Sequence, residues 1–309
     1  VAPQTAERVQ AAIVRLGYRP NVFAQGLMTR KSHLLGLLLP DIHGEFYSEL
    51  LRGADTEARA SGYHVLVSSA GRDQDAPLFN SNMVGMLAGL AVMITEPDAY
   101  LIREAGGLDL PLVVIDKDLA GPRTDRVLVD NRSGTRDAVQ QLLEHAPARD
   151  VFFLGGPERN FDTVERAAAF REALTSPGYG PEESQVLFGR YTVEWGFQAA
   201  HWLLEKRGGG ARKTAILAGN DEIAVGVLQA AQELGLDVPG RVQIVGFDDT
   251  RVASMVRPQL SAVHVPMADV GAAAVRLLLE RMSDPSAAGR TVTLSTSLVV
   301  RGTTLNGRG

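Results

Sequence analysis

The sequence predicts an α/β fold made of two doubly wound parallel-sheet lobes. Three observations predict it. From Leu34 onward, short apolar runs alternate with amphipathic stretches of helical period. Runs such as Leu34-Leu35-Gly36-Leu37-Leu38-Leu39 are apolar at nearly every position, the pattern of strands covered on both faces. Eight or more such runs fall within 309 residues, which suits two sheets better than one.

In chain order, residues 5–21 read as a short amphipathic helix closed by Gly17 and Pro20, neither of which continues a helix. Residues 21–29 hold only moderate helix formers, and a helix so short is marginal alone in water. Strands are expected at 34–39, 64–68, 90–94, 112–115, 126–129, 151–154, 215–217 and 243–245. Helices are expected at 45–60, 133–144, 163–173, 193–205 and 222–234. The step from the first sheet to the second is expected near His145-Ala146-Pro147-Ala148-Arg149-Asp150, where a helix ends and a strand begins. Gly208-Gly209-Gly210 and residues 284–289 read as exposed loops.

Composition bounds the function. Hydrophobic residues make up 45% and charged residues 22%, as in ordinary soluble domains. No apolar run reaches the roughly 18 residues a bilayer demands, and no signal peptide opens the chain, so no membrane role is expected. Zero cysteines exclude disulfides and thiolate metal sites and fit a cytoplasmic protein. The net charge of -5 argues against wholesale nucleic-acid binding, yet it is unevenly placed. Residues 1–33 hold Arg8, Arg15, Arg19, Arg30 and Lys31 against Glu7, a balance of +4 on a body of -9. Such a basic arm suits phosphate contact. No nucleophile elbow, phosphate loop, dinucleotide fingerprint or zinc-protease motif occurs, so neither an enzyme nor a resident cofactor or metal is expected.

The ordered motifs are more specific. They run Pro40-Asp41-Ile42, Glu45-Phe46-Tyr47, Gly62-Tyr63, Val129-Asp130-Asn131, Phe153-Leu154-Gly155-Gly156-Pro157, Arg166 with Phe170, Gly219-Asn220-Asp221-Glu222, Val238-Pro239 and Val245-Gly246-Phe247-Asp248-Asp249. In this order, across nearly the whole chain, they resemble the LacI/GalR-type family of bacterial transcription regulators, which includes the lactose and purine repressors. The resemblance implies a periplasmic-binding-protein-type pair of lobes behind a DNA-binding headpiece. It implies headpiece remnant and hinge over 1–33, a first lobe over 34–146 and 264–290, and a second over 150–262 and 292–305. The helix 267–282 would pack on the first sheet, and a final strand 292–300 would return to the second. Asn21, Ala24, Gln25, Leu27 and Arg30 would form the DNA-binding hinge, with Leu27 as an apolar wedge in the minor groove. The alternative for residues 18–33 is a plain linker. Gln25 and Gly26 depart from the family pattern, which usually has a basic and a small polar residue there. The two earlier helices of the headpiece are expected to be missing.

The same resemblance places an effector cleft at the carboxyl ends of the strands. Its expected residues are Phe46, Tyr47, Lys117, Asp130, Arg166, Tyr191, Asn220 and Asp248. Arg166 offers a fixed fork of donors, and Asp248 accepts two hydroxyl hydrogen bonds. A surface ion pair with Glu165 or Asp162 is the competing role for Arg166, and a helix N-cap for Asp248. Asp221 reads as a cap or brace and Asn220 as the ligand residue. Of Asp130 and Asn131, one binds and the other caps. Carboxylates and amides beside aromatic faces suit a neutral sugar over a nucleobase or a sugar phosphate. The expected assembly is a homodimer on palindromic operator DNA, with helices 45–60 and 267–282 at the interface. A stand-alone sugar receptor of periplasmic type is the alternative reading.

Overall fold

A computed structural model describes residues 3–16, 32–69, 84–96, 107, 110–117, 124–208 and 212–305. The expected hinge positions Asn21, Ala24, Gln25, Leu27 and Arg30 lie outside the described residues. Ahead of them, α1 (Pro3–Leu16) is amphipathic, and Val9, Val14 and Leu16 are exposed.

Two six-stranded sheets follow. The first contains β1 (Leu34–Leu39), β2 (His64–Ser69), β3 (Gly89–Met93), β4 (Leu112–Ile115), β5 (Asp125–Val129) and β11 (Thr291–Leu294), all parallel, in the order β11-β5-β4-β3-β1-β2. The second contains β6 (Val151–Gly155), β7 (Val186–Phe188), β8 (Thr214–Ala218), β9 (Val242–Asp248), β10 (Ser261–His264) and β12 (Ser297–Val299), in the order β12-β10-β9-β8-β6-β7. Only β12 runs antiparallel to its neighbour. Strands β3, β6 and β8 are buried along their whole length, as their continuous apolar runs require. β2 is an edge strand with exposed positions.

In each sheet the strand order reverses beside the first strand, at β1/β3 and at β6/β8. Flanking strands there send their connections to opposite faces, which opens a crevice at the carboxyl ends.

The helices are α2 (Glu45–Ala60), α3 (Asn131–Leu143), α4 (Phe161–Leu174), α5 (Val193–Lys206), α6 (Asp221–Glu233), the short α7 (Arg251–Met255) and α8 (Met267–Ser283). α2 and α8 pack closely because glycines face backbone. A Cβ on Gly53 would stand 1.8 Å from the Ala268 carbonyl oxygen, and one on Gly271 would stand 2.0 Å from that of Leu50. The buried sides of these helices are therefore spent on each other and on the first sheet. The outward side of α2 carries Glu49, Arg52, Asp55 and Arg59. An interface built from these two helices would use polar residues.

The chain changes sheets three times, and two crossings depart from expectation. The first lies at Asp130, not at 145–150. β5 belongs to the first sheet, but α3 already packs on the second, where Gly134 abuts Val263 and Gln141 Nε2 donates to the Leu305 carbonyl. Residues 131–146 thus stand with the second sheet. A helix end followed by a strand looks the same in sequence whether or not the sheet changes. The second crossing, between His264 and Met267, falls where expected. The third splits the strand expected at 292–300. Thr291–Leu294 pairs with β5, and Ser297–Val299 pairs with β10. The first and third crossings are tied together: Asp130 N donates to the Leu294 carbonyl, and Thr296 Oγ1 donates to the Asp130 carbonyl.

Candidate functional site: an acidic cleft between two sheets

Among the described residues, the non-glycine positions with positive φ are Asp116 (68°), Asp248 (99°) and Asp249 (57°). Each follows or ends a strand at its carboxyl end, on the crevice side. Left-handed backbone is costly for residues with a Cβ, and Asp is among the few that tolerate it. Strain of this kind concentrates at ligand sites.

Arg166, on the buried face of α4, is the hub and is only 3% exposed. Its Nε donates to Asn131 Oδ1 at 2.7 Å, and its Nη1 donates to the Gly219 carbonyl at 2.6 Å. Its plane lies 3.7 Å from the centre of the Phe247 ring. Nη2 stands 3.8 Å from Asp162 and 3.9 Å from Asp248, too far for direct hydrogen bonds. Asp248 Oδ1 and Asp116 Oδ2 are buried with no hydrogen-bond donor among the described residues. Burial raises both carboxyls well above the usual range; Arg166 pulls them down, while Asp162 pushes them up.

Tyr47, on the first turn of α2, faces the same carboxylates. Burial and the charges of Asp116, Asp41, Asp162 and Asp248 raise its phenol. Its ring meets Phe46 edge-on at 5.1 Å. Phe46 also lines a cleft of about 580 Å³ that opens beside the Arg166 cluster and is bounded by Asp248, Asp249, Arg251 and His264. The cluster itself is closed. Phe161 N, entering α4, donates to the Thr95 carbonyl after β3, and Arg251 N donates to Glu45 Oε2. Both bonds join one sheet's loops to the other's.

The remaining expected residues divide. Lys117 sits with its ammonium 4.2 Å from the centre of the Phe161 ring, across the crevice. Tyr191 packs on Gly156, and its hydroxyl pairs with Thr163 Oγ1 at 2.6 Å. Asp130 caps α3 by accepting from Ser133 N at 3.0 Å, while Asn131 enters the hub through Arg166 and Asp162. Of that pair, Asp130 was the expected ligand residue. Its Oδ1 caps the helix that begins at Asn131. Asn220, also an expected ligand residue, is the N-cap of α6, its Oδ1 accepting from Ile223 N. Asp221 is a brace, accepting from Thr250 N and Oγ1. The ion pair of Arg166 with Asp162 is present at 3.8 Å but buried, not on the surface, and Thr250, not Asp248, precedes α7. Sequence reasoning passed over Asp116, Asp162 and Phe161. An Asp at a strand end before Lys117 was the available signal.

Burial raises the Asp221 carboxyl to about 7, with the Thr250 bonds opposing and Asp249 assisting. An ordinary unfolded Asp titrates near ~3.9. The folded state therefore holds a proton that the unfolded chain has lost. This contribution is complete below about pH 4 and is lost as pH rises through about 7. The ligand-free melting temperature is expected to fall between pH 5 and 8, and Asp221→Asn to flatten that fall. An unchanged slope in the variant, read by calorimetry, would count against this account.

Comparison with known proteins agrees with this architecture. Residues 139–304 match the family model of a periplasmic binding protein-like domain. The chain is 35% identical over 285 residues to catabolite control protein A of Priestia megaterium, covering 92% of this chain and 85% of that protein. It is 31% identical to catabolite control protein A of Staphylococcus xylosus, covering 98% and 91%. Among solved structures, the lac repressor dimer bound to operator and the anti-inducer ONPF superposes with TM-score 0.85 at 26% identity, over 99% of this chain and 92% of that one. The transcriptional regulator CelR in complex with cellobiose gives 0.78 at 27%, over 98% and 91%. Two linked parallel sheets, an acidic cleft at their switch points and full-length similarity to these regulators converge: the chain belongs to the LacI/GalR-type family of ligand-responsive bacterial transcription regulators.

Proposed function

We propose that this regulator senses a sugar in the Arg166–Asp248 cleft and acts as a homodimer on operator DNA, with residues 1–33 contributing to its DNA-binding part. The observation that carries the effector reading is the gap at the hub. Arg166 Nη2 and Asp248 Oδ1 face each other at 3.9 Å. A hydroxyl placed between them accepts from the guanidinium and donates to the carboxylate. Sugars supply such groups in number, and the relatives bound to cellobiose and to ONPF point the same way. A sugar phosphate fits poorly beside Asp116, Asp162 and Asp248.

The mechanism is closure of the two lobes on the effector. Bonds such as Phe161 N to the Thr95 carbonyl form only when the lobes meet. An effector that binds the closed form better shifts the population toward it. By linkage, operator and effector alter each other's affinity by the same factor. A thermal-shift screen over mono- and disaccharides tests this. A sugar present at a hundred times its Kd stabilises by about 2.7 kcal/mol. Stabilisation by nucleobases alone would overturn the reading.

Assembly has its own test. Sedimentation at micromolar concentration is expected to give twice the mass of one chain. A single-chain mass would exclude the dimer.

A further inference from the structure

The start of α4 reaches out of its own lobe. Asn160 caps the helix and is buried, its Oδ1 accepting from Thr163 N and from the Tyr191 hydroxyl. Phe161 is therefore presented rigidly, as the first helical residue. The amide at that position has no partner inside its helix. It donates to the Thr95 carbonyl at 2.8 Å, just past β3. The Phe161 ring packs on an apolar cluster of Leu38, Leu90, Val92, Ile94 and Val114. Every described member of that cluster except Phe161 belongs to the first lobe. From beyond β4, the neighbour of β3, the Lys117 ammonium stands 4.2 Å from the centre of the ring. That is within the roughly 6 Å over which a cation is drawn to an aromatic face.

These three contacts do not count equally. When the lobes part, the Phe161 amide and the Thr95 carbonyl exchange each other for water, at small net cost. The Lys117 ammonium is rehydrated too, and its hold on a half-buried ring is modest. The ring has no such compensation, because its apolar surface gains nothing from water. Burial of the ring against the first lobe is thus the largest share of what this contact gives to closure. The same helix carries Arg166, which acts on Asp116 of the first lobe. Seating Phe161 therefore brings Arg166 to the cleft as the lobes close.

We infer that Phe161, with Lys117 across its ring, is the latch that sets the closure equilibrium of the two lobes. This rests on lobe closure as the mechanism. Phe161 is a positioning residue, acting through closure and not through contact with the effector. An effector that binds the closed form then gains or loses affinity in proportion to the population of that form.

Distances between the lobes decide the matter. The sequence has no cysteine, so Ser69→Cys and Arg190→Cys take spin labels specifically. Both positions are exposed, one ending β2 and one just past β7. These edge strands lie away from the three crossings and so move most on opening. Labelled chains are diluted into excess unlabelled chain, so that each distance is read within one molecule. Phe161→Ala is expected to raise the ratio of open to closed forms about ten-fold, and Phe161→Leu, which keeps an apolar contact, about three-fold. Lys117→Met keeps the stem, loses the charge and should raise the ratio about two-fold. The last two variants carry the test should Phe161→Ala fail to fold. A distance distribution that all three leave unmoved overturns the latch. Cellobiose and the other sugars of the thermal-shift screen, added to the wild type and to each variant, separate this result from the closure mechanism. If a sugar shifts the distances and the substitutions do not, closure stands and the latch falls. If the substitutions shift them and no sugar does, the latch stands and effector-driven closure falls. If nothing shifts them, both fall.

Discussion

Asp248→Asn is expected to weaken effector binding about thirty-fold, the equivalent of ~2 kcal/mol for one charge-assisted hydrogen bond. The same change is expected to leave the ligand-free protein as stable as before, or slightly more so. The reason is that Asp248 Oδ1 is buried without a donor, so the carboxylate returns little to the empty fold. Asparagine also tolerates the φ of 99° at this position, which alanine does not. Asp248→Ala would mix ligand loss with backbone strain of about 1–2 kcal/mol. Titration of the sugar found by screening, beside thermal melts without it, separates the two effects. Normal affinity in Asp248→Asn would remove this residue from the site. Loss of the fold would make it a structural residue.

Asp125→Ala is expected to be the most damaging single change away from the cleft, lowering stability by about 3–5 kcal/mol. Asp125 opens β5 and is wholly buried. Its two oxygens accept from Arg281 Nη2 at 2.9 Å and Arg281 Nε at 2.8 Å, and Arg290 N donates to the first of them. Burial would raise this carboxyl, but the bonds from Arg281 and Arg290 outweigh it and hold it below the ordinary range. Its contribution is therefore present at neutral pH and is lost as pH falls through the lowered value. Removing the carboxylate strands Arg281, which is 4% exposed. The double change Asp125→Leu with Arg281→Met should recover most of the loss, because it leaves no buried charge behind. Urea unfolding measures both. A loss under 1 kcal/mol in the single variant would show that solvent reaches Arg281 when its partner is gone.

The cleft was legible in part. Residues matched by motif order, such as Arg166, Tyr47 and Asp248, come to one place because each follows or flanks a strand end. Asp130 and Asn131 were not separable in sequence. Both are common at helix starts, and only the helix boundary decides which one caps. At Asn220 and Asp221 the expected brace is the carboxylate, which holds Thr250, while the cap is the Asn220 amide oxygen. Asp116 was missed because a lone Asp before a Lys at a strand end carries no periodic signal. It stands out through a positive φ and through the charges of Asp162 and Asp248 acting on it, and neither is a property of neighbours in sequence.

What the sequence determined by itself was the alternation of continuous apolar strands with amphipathic helices, and hence two parallel-sheet lobes. Strand and helix periods depend on residues two to four apart, and burial on both faces leaves its mark in each run. What only the tertiary structure decided was where the chain passes between sheets, and which polar groups keep free atoms for a ligand. A crossing at Asp130 and a strand split after Leu294 leave no local signature, because either sheet would accept the same apolar pattern. The charges acting on one another in the cleft likewise include Asp116, Asp162, Asp248 and Arg166, groups as far as 132 positions apart in the chain. Electrostatic interaction depends on distance through space and on exclusion of water, and folding alone sets both.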